Sequence, residues 1–173
     1  MSCNLTSGYS IGCRDSVGGI KSVYLIEFDN VSGITQSAGT ATAIAKANNA
    51  RFWKYNLQKA TSEWMEEYQD NMENGTSFQK QTLSLVLNGM TAATSQEIKL
   101  LSQNRLIAVV ETQEPTPKYW LLGETNGLMR EGGKSGSGKA FADRSGYELT
   151  FTSEQSLMAI QVASNAIAGL IVP

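Results

Sequence analysis

Histidine is absent from this sequence, and with it the side chain most used for acid–base work near neutral pH and the commonest metal ligand. Cysteine occurs only twice, at Cys3 and Cys13. Two thiols without histidine are too few for a four-ligand zinc site, and a cysteine nucleophile would lack its usual base. Charged residues make up 17% of the chain, well below the ~25% of ordinary globular domains. Fourteen basic residues against sixteen acidic ones leave a net charge of −2. Such a surface gains nothing from neutralising phosphates, which argues against sequence-independent DNA binding. No apolar run approaches the ~20 residues of a membrane-spanning helix, so no membrane partner is expected. The opening Met1-Ser2-Cys3-Asn4-Leu5-Thr6 has no basic segment followed by an apolar one. The expectation is a chain kept in a reducing cytosol, with Cys3 and Cys13 as thiols acting as small apolar residues. A Cys3–Cys13 disulfide or a shared metal site is the sharper alternative.

What replaces charge is Ser, Thr, Asn, Gln and Gly, a mix that satisfies hydrogen bonds on β-surfaces and subunit contacts without burying ions. The length suits one domain over residues 1–173, with an N-terminal arm at 1–19 and a C-terminal arm at 154–173. Ile20 to Phe28 reads as a strand apolar on both faces: Val23 and Leu25 on one, Tyr24, Ile26 and Phe28 on the other. Residues 29–50 hold a run of small residues, Gly39 to Ala47, for which helix, strand and mobile loop all stay open; a flexible connection is favoured. Trp53, Tyr55 and Leu57 alternate with Lys54 and Asn56 as a half-buried strand. Glu63 to Met72 and Thr76 to Leu87 flank Asn74-Gly75, the strongest two-residue hairpin signal. Their length predicts a hairpin that projects beyond its core.

Thr94 and Glu97 have capping-box spacing and open a helix with Ile98, Leu100 and Leu101 on its apolar face, ending near Gln103-Asn104. Leu106 to Thr112 and Tyr119 to Leu122 read as paired strands around a turn at Glu114 to Pro117. Asn126-Gly127 turns into Leu128-Met129-Arg130, and Gly132 to Gly138 is a glycine-rich loop before the turn at Asp143 to Gly146. Tyr147, Leu149 and Phe151 alternate as a further strand. The alanine-rich tail 157–172 reads as extended, with at most one helical turn after Asn165.

Two constellations invite chemistry. Gly133-Lys134-Ser135-Gly136-Ser137-Gly138-Lys139-Ala140 nearly spells a phosphate-binding loop, but Ala140 lacks the hydroxyl that holds Mg²⁺ and too few residues follow for the helix such a loop needs. Glu63, Glu66, Glu67, Asp70 and Glu73 form an acidic run with no base among them. It lacks both the opposed carboxylate of a glycosidase and the ligand order of an EF-hand, so a solvated or partner-facing stripe is the better reading. The aromatics Trp53, Tyr55, Trp64 and Tyr68 lack the basic companions of a base-stacking platform and read as core or cross-strand pairs. No catalytic, cofactor-binding or metal-binding residue is assigned. The segment 130–144 carries Arg130, Lys134, Lys139 and Arg144 against Glu131 and Asp143, a net of 4 − 2 = +2. This basic segment and the acidic run are candidate subunit-interface residues, the hairpin of one copy meeting the loop of another.

Residues 61–153 resemble virion structural proteins of tailed bacteriophages, most of all tail tube proteins. The resemblance rests on Glu73-Asn74-Gly75-Thr76 leading into a long strand, the short helix Glu97 to Asn104, Arg105-Leu106-Ile107-Ala108-Val109-Val110, Tyr119-Trp120-Leu121-Leu122-Gly123, Asn126-Gly127-Leu128, a Gly/Ser-rich loop, and Asp143-Arg144-Ser145-Gly146-Tyr147-Glu148-Leu149-Thr150-Phe151-Thr152. The opening Cys3-Asn4-Leu5-Thr6 and Cys13 to Lys21 is similar to the same group. The resemblance implies a mainly β fold, a β-sandwich or small barrel with one short flanking helix, a long hairpin and extended terminal arms. It also implies hexameric rings that stack into a tube in the virion, assembled in the host cytoplasm, with other tail or neck proteins as partners and DNA as passing cargo. A neck, head–tail connector or capsid-associated protein is the alternative, and a small-ligand-binding β-barrel a second one.

Overall fold

The computed structural model describes residues 7–10 and 17–170; Cys3 and Cys13 lie outside the described residues. Eleven strands and two helices are present among them: β1 (Ile20–Glu27), β2 (Val31–Ser37), β3 (Thr40–Lys46), β4 (Trp53–Asn56), β5 (Glu63–Asn71), β6 (Thr76–Asn88), α1 (Ala92–Gln103), β7 (Leu106–Thr112), β8 (Tyr119–Leu122), β9 (Met129–Gly136), β10 (Gly146–Gln155), β11 (Ile160–Val162) and α2 (Ser164–Leu170). They form a seven-stranded sheet, β2-β3-β11-β8-β7-β1-β4, and a four-stranded sheet, β5-β6-β10-β9. The expected mainly β, sandwich-like fold with a flanking helix is what the chain adopts.

The alternation in β1 decides the layering. Val23 and Leu25 join Leu83, Leu85, Ala108, Val110, Leu149 and Phe151 in a core between the two sheets. Tyr24 and Ile26 join Ile107, Val109, Leu121 and Val162 in a second core on the far face of the seven-stranded sheet, closed by Ile167 and Leu170 of α2. Helix α1 covers a flank of the first core with Ile98 and Leu101. Leu100, expected on that apolar face, is 47% exposed instead. The cap is also one turn earlier than the capping-box spacing implies: the Thr91 side chain accepts from the Thr94 N–H, which leaves Glu97 free to accept from the Tyr55 hydroxyl at 2.9 Å.

Three expectations are corrected. Residues 29–50 are not a flexible connection but the hairpin β2–β3. Its strands are built from small and β-branched residues, and Ala41 and Ile44 anchor them in the second core. The glycine-rich segment 132–138 is mostly strand β9, paired along β10. Glycine there serves close approach, since a Cβ on Gly133 would sit 2.8 Å from the Glu148 carbonyl oxygen. The C-terminal arm is folded in: β11 lies between β3 and β8, parallel to the first and antiparallel to the second, and α2 follows it. Alanine-rich as it is, the tail places Val162, Ile167 and Leu170 where they are buried.

The β2–β3 loop is only Ala38-Gly39, because Ser37 pairs with Thr40. Both residues have positive φ, 49° and 75°, as a two-residue primed turn requires. An alanine in the left-handed region is held there at a penalty of about 1–2 kcal/mol. Ala38→Asn, a residue that tolerates this conformation, is expected to raise stability by a part of that, roughly 0.5–1 kcal/mol. Urea denaturation of the two proteins measures it; a lower midpoint for the variant contradicts the turn geometry.

Candidate functional site

The four-stranded sheet has a buried inner face and a polar outer one. On the outer face the register aligns Glu63, Met65 and Glu67 of β5 with Ser84, Thr82 and Lys80 of β6. Glu154, Thr152, Thr150 and Glu148 of β10 follow, then Met129, Gly132 and Lys134 of β9. Five carboxylates (Glu63, Glu67, Glu131, Glu148, Glu154) stand against three cationic groups (Lys80, Lys134, Arg144), a net of −2 on a surface otherwise dominated by hydroxyls and apolar side chains.

Among the described residues both edges of this sheet are open. β5 and β9 each pair on one side only, and every residue of β9 is exposed. Only the rows through Ser84, Leu83 and Thr82 cross all four strands. The rest of β5, Glu66 to Asn71, runs past the end of β9 beside β6, and that is the projecting hairpin. Its tip spans Met72 to Gly75, four residues rather than the expected two: Asn71 pairs with Thr76, and the Asn71 side chain accepts from the Asn74 N–H at 3.1 Å.

The expected interface residues therefore lie on opposite edges of one sheet: Glu63, Glu66, Glu67 and Asp70 on β5 and Glu73 in its tip, against Arg130 and Lys134 on β9, with Lys139 and Arg144 in the following loop. The acidic run is not one stripe. Strand alternation sends Glu63 and Glu67 outward and puts Glu66 and Asp70 on the other face, opposite Gln81 and Ser77. Glu66 is committed there: its Oε1 accepts from Gln81 Nε2 at 2.9 Å and from the Ala159 N–H at 2.8 Å. This polar end of the sandwich, where Gln81 Oε1 also takes the Gly123 N–H and Gln155 Oε1 the Thr125 N–H, lets the hairpin leave an aliphatic core without stranding backbone groups. On the basic side, Lys134 and Arg144 both pair with Glu148, whereas Arg130 and Lys139 make no ion pair among the described residues.

The near-P-loop folds differently from a phosphate cradle. Its last residues and the turn after it line an open hollow of about 440 Å³. The Asp143 carboxylate accepts from the backbone N–H groups of Lys139 and Ala140 at 2.8 and 2.9 Å. These two hydrogen bonds, from Ala140 and then Lys139, hold its pKa below the ordinary carboxylate range. An anion arriving at those N–H groups would have to displace a tethered carboxylate. Calorimetry with Mg-ATP is therefore expected to show no saturable binding; saturable heat that Lys139→Ala abolishes would reverse this reading.

The strongest electrostatic cluster was not visible in the sequence. Glu111, buried on β7, accepts from Lys21 Nζ at 2.9 Å, Tyr24 Oη at 3.1 Å and the Ser22 hydroxyl, with Lys54 Nζ 3.9 Å away. A β-bulge between Ile20 and Ser22 lets successive β1 side chains reach one partner. Burial pushes the Glu111 carboxyl up, but the Ser22, Lys21 and Tyr24 hydrogen bonds outweigh it and the net shift is downward. Among the described residues, no three metal-ligating side chains converge and no helix is long and apolar enough to cross a membrane. Comparison of the chain with protein-family models, curated proteins and solved structures gives no match.

Because the folded Glu111 holds its proton less tightly than the unfolded one, its contribution is present above the ordinary value of 4.5 and is lost as pH falls through the lower folded value. Glu111→Gln should be less stable than the parent at pH 7, and the difference should narrow on acidification below pH 4.5. Urea midpoints measured across that range check it; a gap that stays constant contradicts the linkage.

Proposed function

We propose that this protein is a structural subunit of a phage tail, a tail tube protein whose copies join into rings, the rings stacking around a lumen that passes DNA. The observation that carries the reading is the four-stranded sheet with two open edges, one richer in carboxylate and the other in cationic side chains. Long exposed edges are a hazard that monomeric proteins cover, shorten or guard. Among the described residues nothing covers them, and the main-chain edges of β5 and β9 run antiparallel, as antiparallel edge-to-edge pairing of successive copies needs. The overhang of β5 past β9 supports a staggered pairing, and stagger accompanies strand tilt when a sheet closes on itself. The hydroxyl-rich, slightly acidic outer face would then form the wall, a surface on which passing DNA finds no cationic hold. Stable interfaces bury ~1,200 Å² or more, which main-chain pairing along these edges and packing of the projecting hairpin would supply.

The hexameric state and the virion location come from the sequence resemblance. A neck or connector role would use the same edges and differ by giving rings that do not stack. A small-ligand-binding barrel is less well supported: the apolar cavity beside α1 measures about 160 Å³, short of the ~300–1,000 Å³ usual for ligand sites, and the larger hollow of about 440 Å³ is open and lined by charged side chains and glycines instead of apolar ones.

Negative-stain images of the purified protein, with light scattering over a concentration series, test the proposal. Rings or tubes are expected, and a monomer at every concentration overturns it. Arg130→Glu places a carboxylate on the β9 edge and should slow assembly, with Glu67→Lys on the β5 edge partly restoring it. Exposed charges of this kind contribute about 0–1 kcal/mol each. The change is therefore expected in assembly rate and salt dependence, with the thermal unfolding of the subunit unaltered.

A further inference from the structure

The cavity of about 160 Å³ beside α1 is lined by Leu25, Trp53, Tyr55, Leu100, Leu101 and Leu106 and carries Glu27 and Glu97 at its rim. A cavity of ~150 Å³ walled by aliphatic and aromatic side chains is large enough to hold a benzene ring. Trp53 and Leu100 are each 47% exposed, so the site opens to solvent through apolar side chains. Phe141, in the loop between β9 and β10, is wholly exposed. An unsheltered phenylalanine in an ordered turn has no role in its own chain's core. That turn is held by the Asp143 carboxylate on the Lys139 and Ala140 N–H groups and by the Asp143 N–H on the Ala140 carbonyl at 3.0 Å, so the ring is presented on a preorganised support.

We propose that Phe141 of one copy seats in this cavity of the next copy. The inference rests on the assembly reading above and gives that assembly a specific anchor. Size matches, and so does charge: Lys139, without an ion pair among the described residues, stands two residues from the knob, while Glu27 and Glu97 rim the hole. Two other large side chains are almost as exposed, Tyr9 at 94% and, at the hairpin tip, Met72 at 97%. Met72 lies between Asp70 and Glu73, and those carboxylates would face Glu27 and Glu97 with like charge. Knob and hole are different surfaces of the same chain, so the contact is head-to-tail, which closes into rings or continues as a filament.

The test uses the full-length protein. Phe141→Ser touches no buried group, so the subunit should fold as before while the concentration for half-assembly rises on the order of tenfold or more, as for loss of a central aromatic anchor. In a Cys3→Ser/Cys13→Ser background, Phe141→Cys combined with Leu100→Cys should give a disulfide-linked ladder of subunits on oxidation. A Met72→Cys/Leu100→Cys pair should not. If Phe141→Ser assembles at the wild-type concentration, or if the ladder forms with Met72→Cys and not with Phe141→Cys, this contact is wrong while the ring reading stands. If the wild type is monomeric at every concentration, both fall.

Discussion

Two-faced burial of β1 and β7 is the constraint on which the rest of the structure depends. Their antiparallel register pairs Val23 with Val110 and Leu25 with Ala108 on one face, and Tyr24 with Val109 and Ile26 with Ile107 on the other. A slip of one residue would exchange the two faces and mismatch both cores at once. The pairing is sealed at one end by Glu111, which draws Lys21, Ser22 and Tyr24 onto a single carboxylate across the bulge. With that pair in place, the four-stranded sheet, α1 and α2 need only cover apolar surface that already exists.

Covering is unequal. The seven-stranded sheet is packed on both faces, whereas the four-stranded sheet uses one face and leaves the other polar. Its inner face changes character along β6 and β10, from Leu83, Leu85, Leu149 and Phe151 to Gln79, Gln81, Ser153 and Gln155. The switch from aliphatic to amide side chains marks where the opposing sheet ends. Past Gln79, where β10 ends, β5 and β6 have only each other, and a free hairpin in water is marginal. The polar network through Glu66, Gln81 and Ala159 ties its root to the body of the sandwich. A projection anchored at its root suits repeated contact between identical copies, since part of the ordering cost is met in the monomer.

What the sequence made legible follows the same physics. Strands with strict alternation or two apolar faces, β1, β6, β7 and β10, were readable because a buried core writes itself into side-chain period. The helix was readable but its cap was not, since Thr91 and Thr94 offer the same chemistry three residues apart and only the Tyr55–Glu97 contact separates them. The β2–β3 hairpin escaped because its turn is Ala38-Gly39, where alanine bears a positive φ that its side chain does not favour. The Asn74-Gly75 signal located a hairpin correctly, yet the Asn71 side-chain bond widened the loop to four residues. β9 hid because glycine reads as loop, while here it lets neighbouring backbones approach.

The candidate site was legible only as charge. Composition could group five carboxylates and four cations; it could not say that the first set sits on one edge strand and its tip, and the second on the opposite edge strand and the loop that follows it. It also could not tell committed groups from available ones. Glu66, Lys134 and Arg144 have partners within the subunit, which leaves Glu63, Glu67, Asp70 and Glu73 on one side and Arg130 and Lys139 on the other to act between copies. Charge that is already paired steers little, since a neighbour gains only what the internal partner gives up. Whatever specificity the edges have must therefore come from these few free groups together with shape. The backbone of an open strand pairs with almost any other strand; a ring-sized hole beside Trp53 and a single exposed phenylalanine do not.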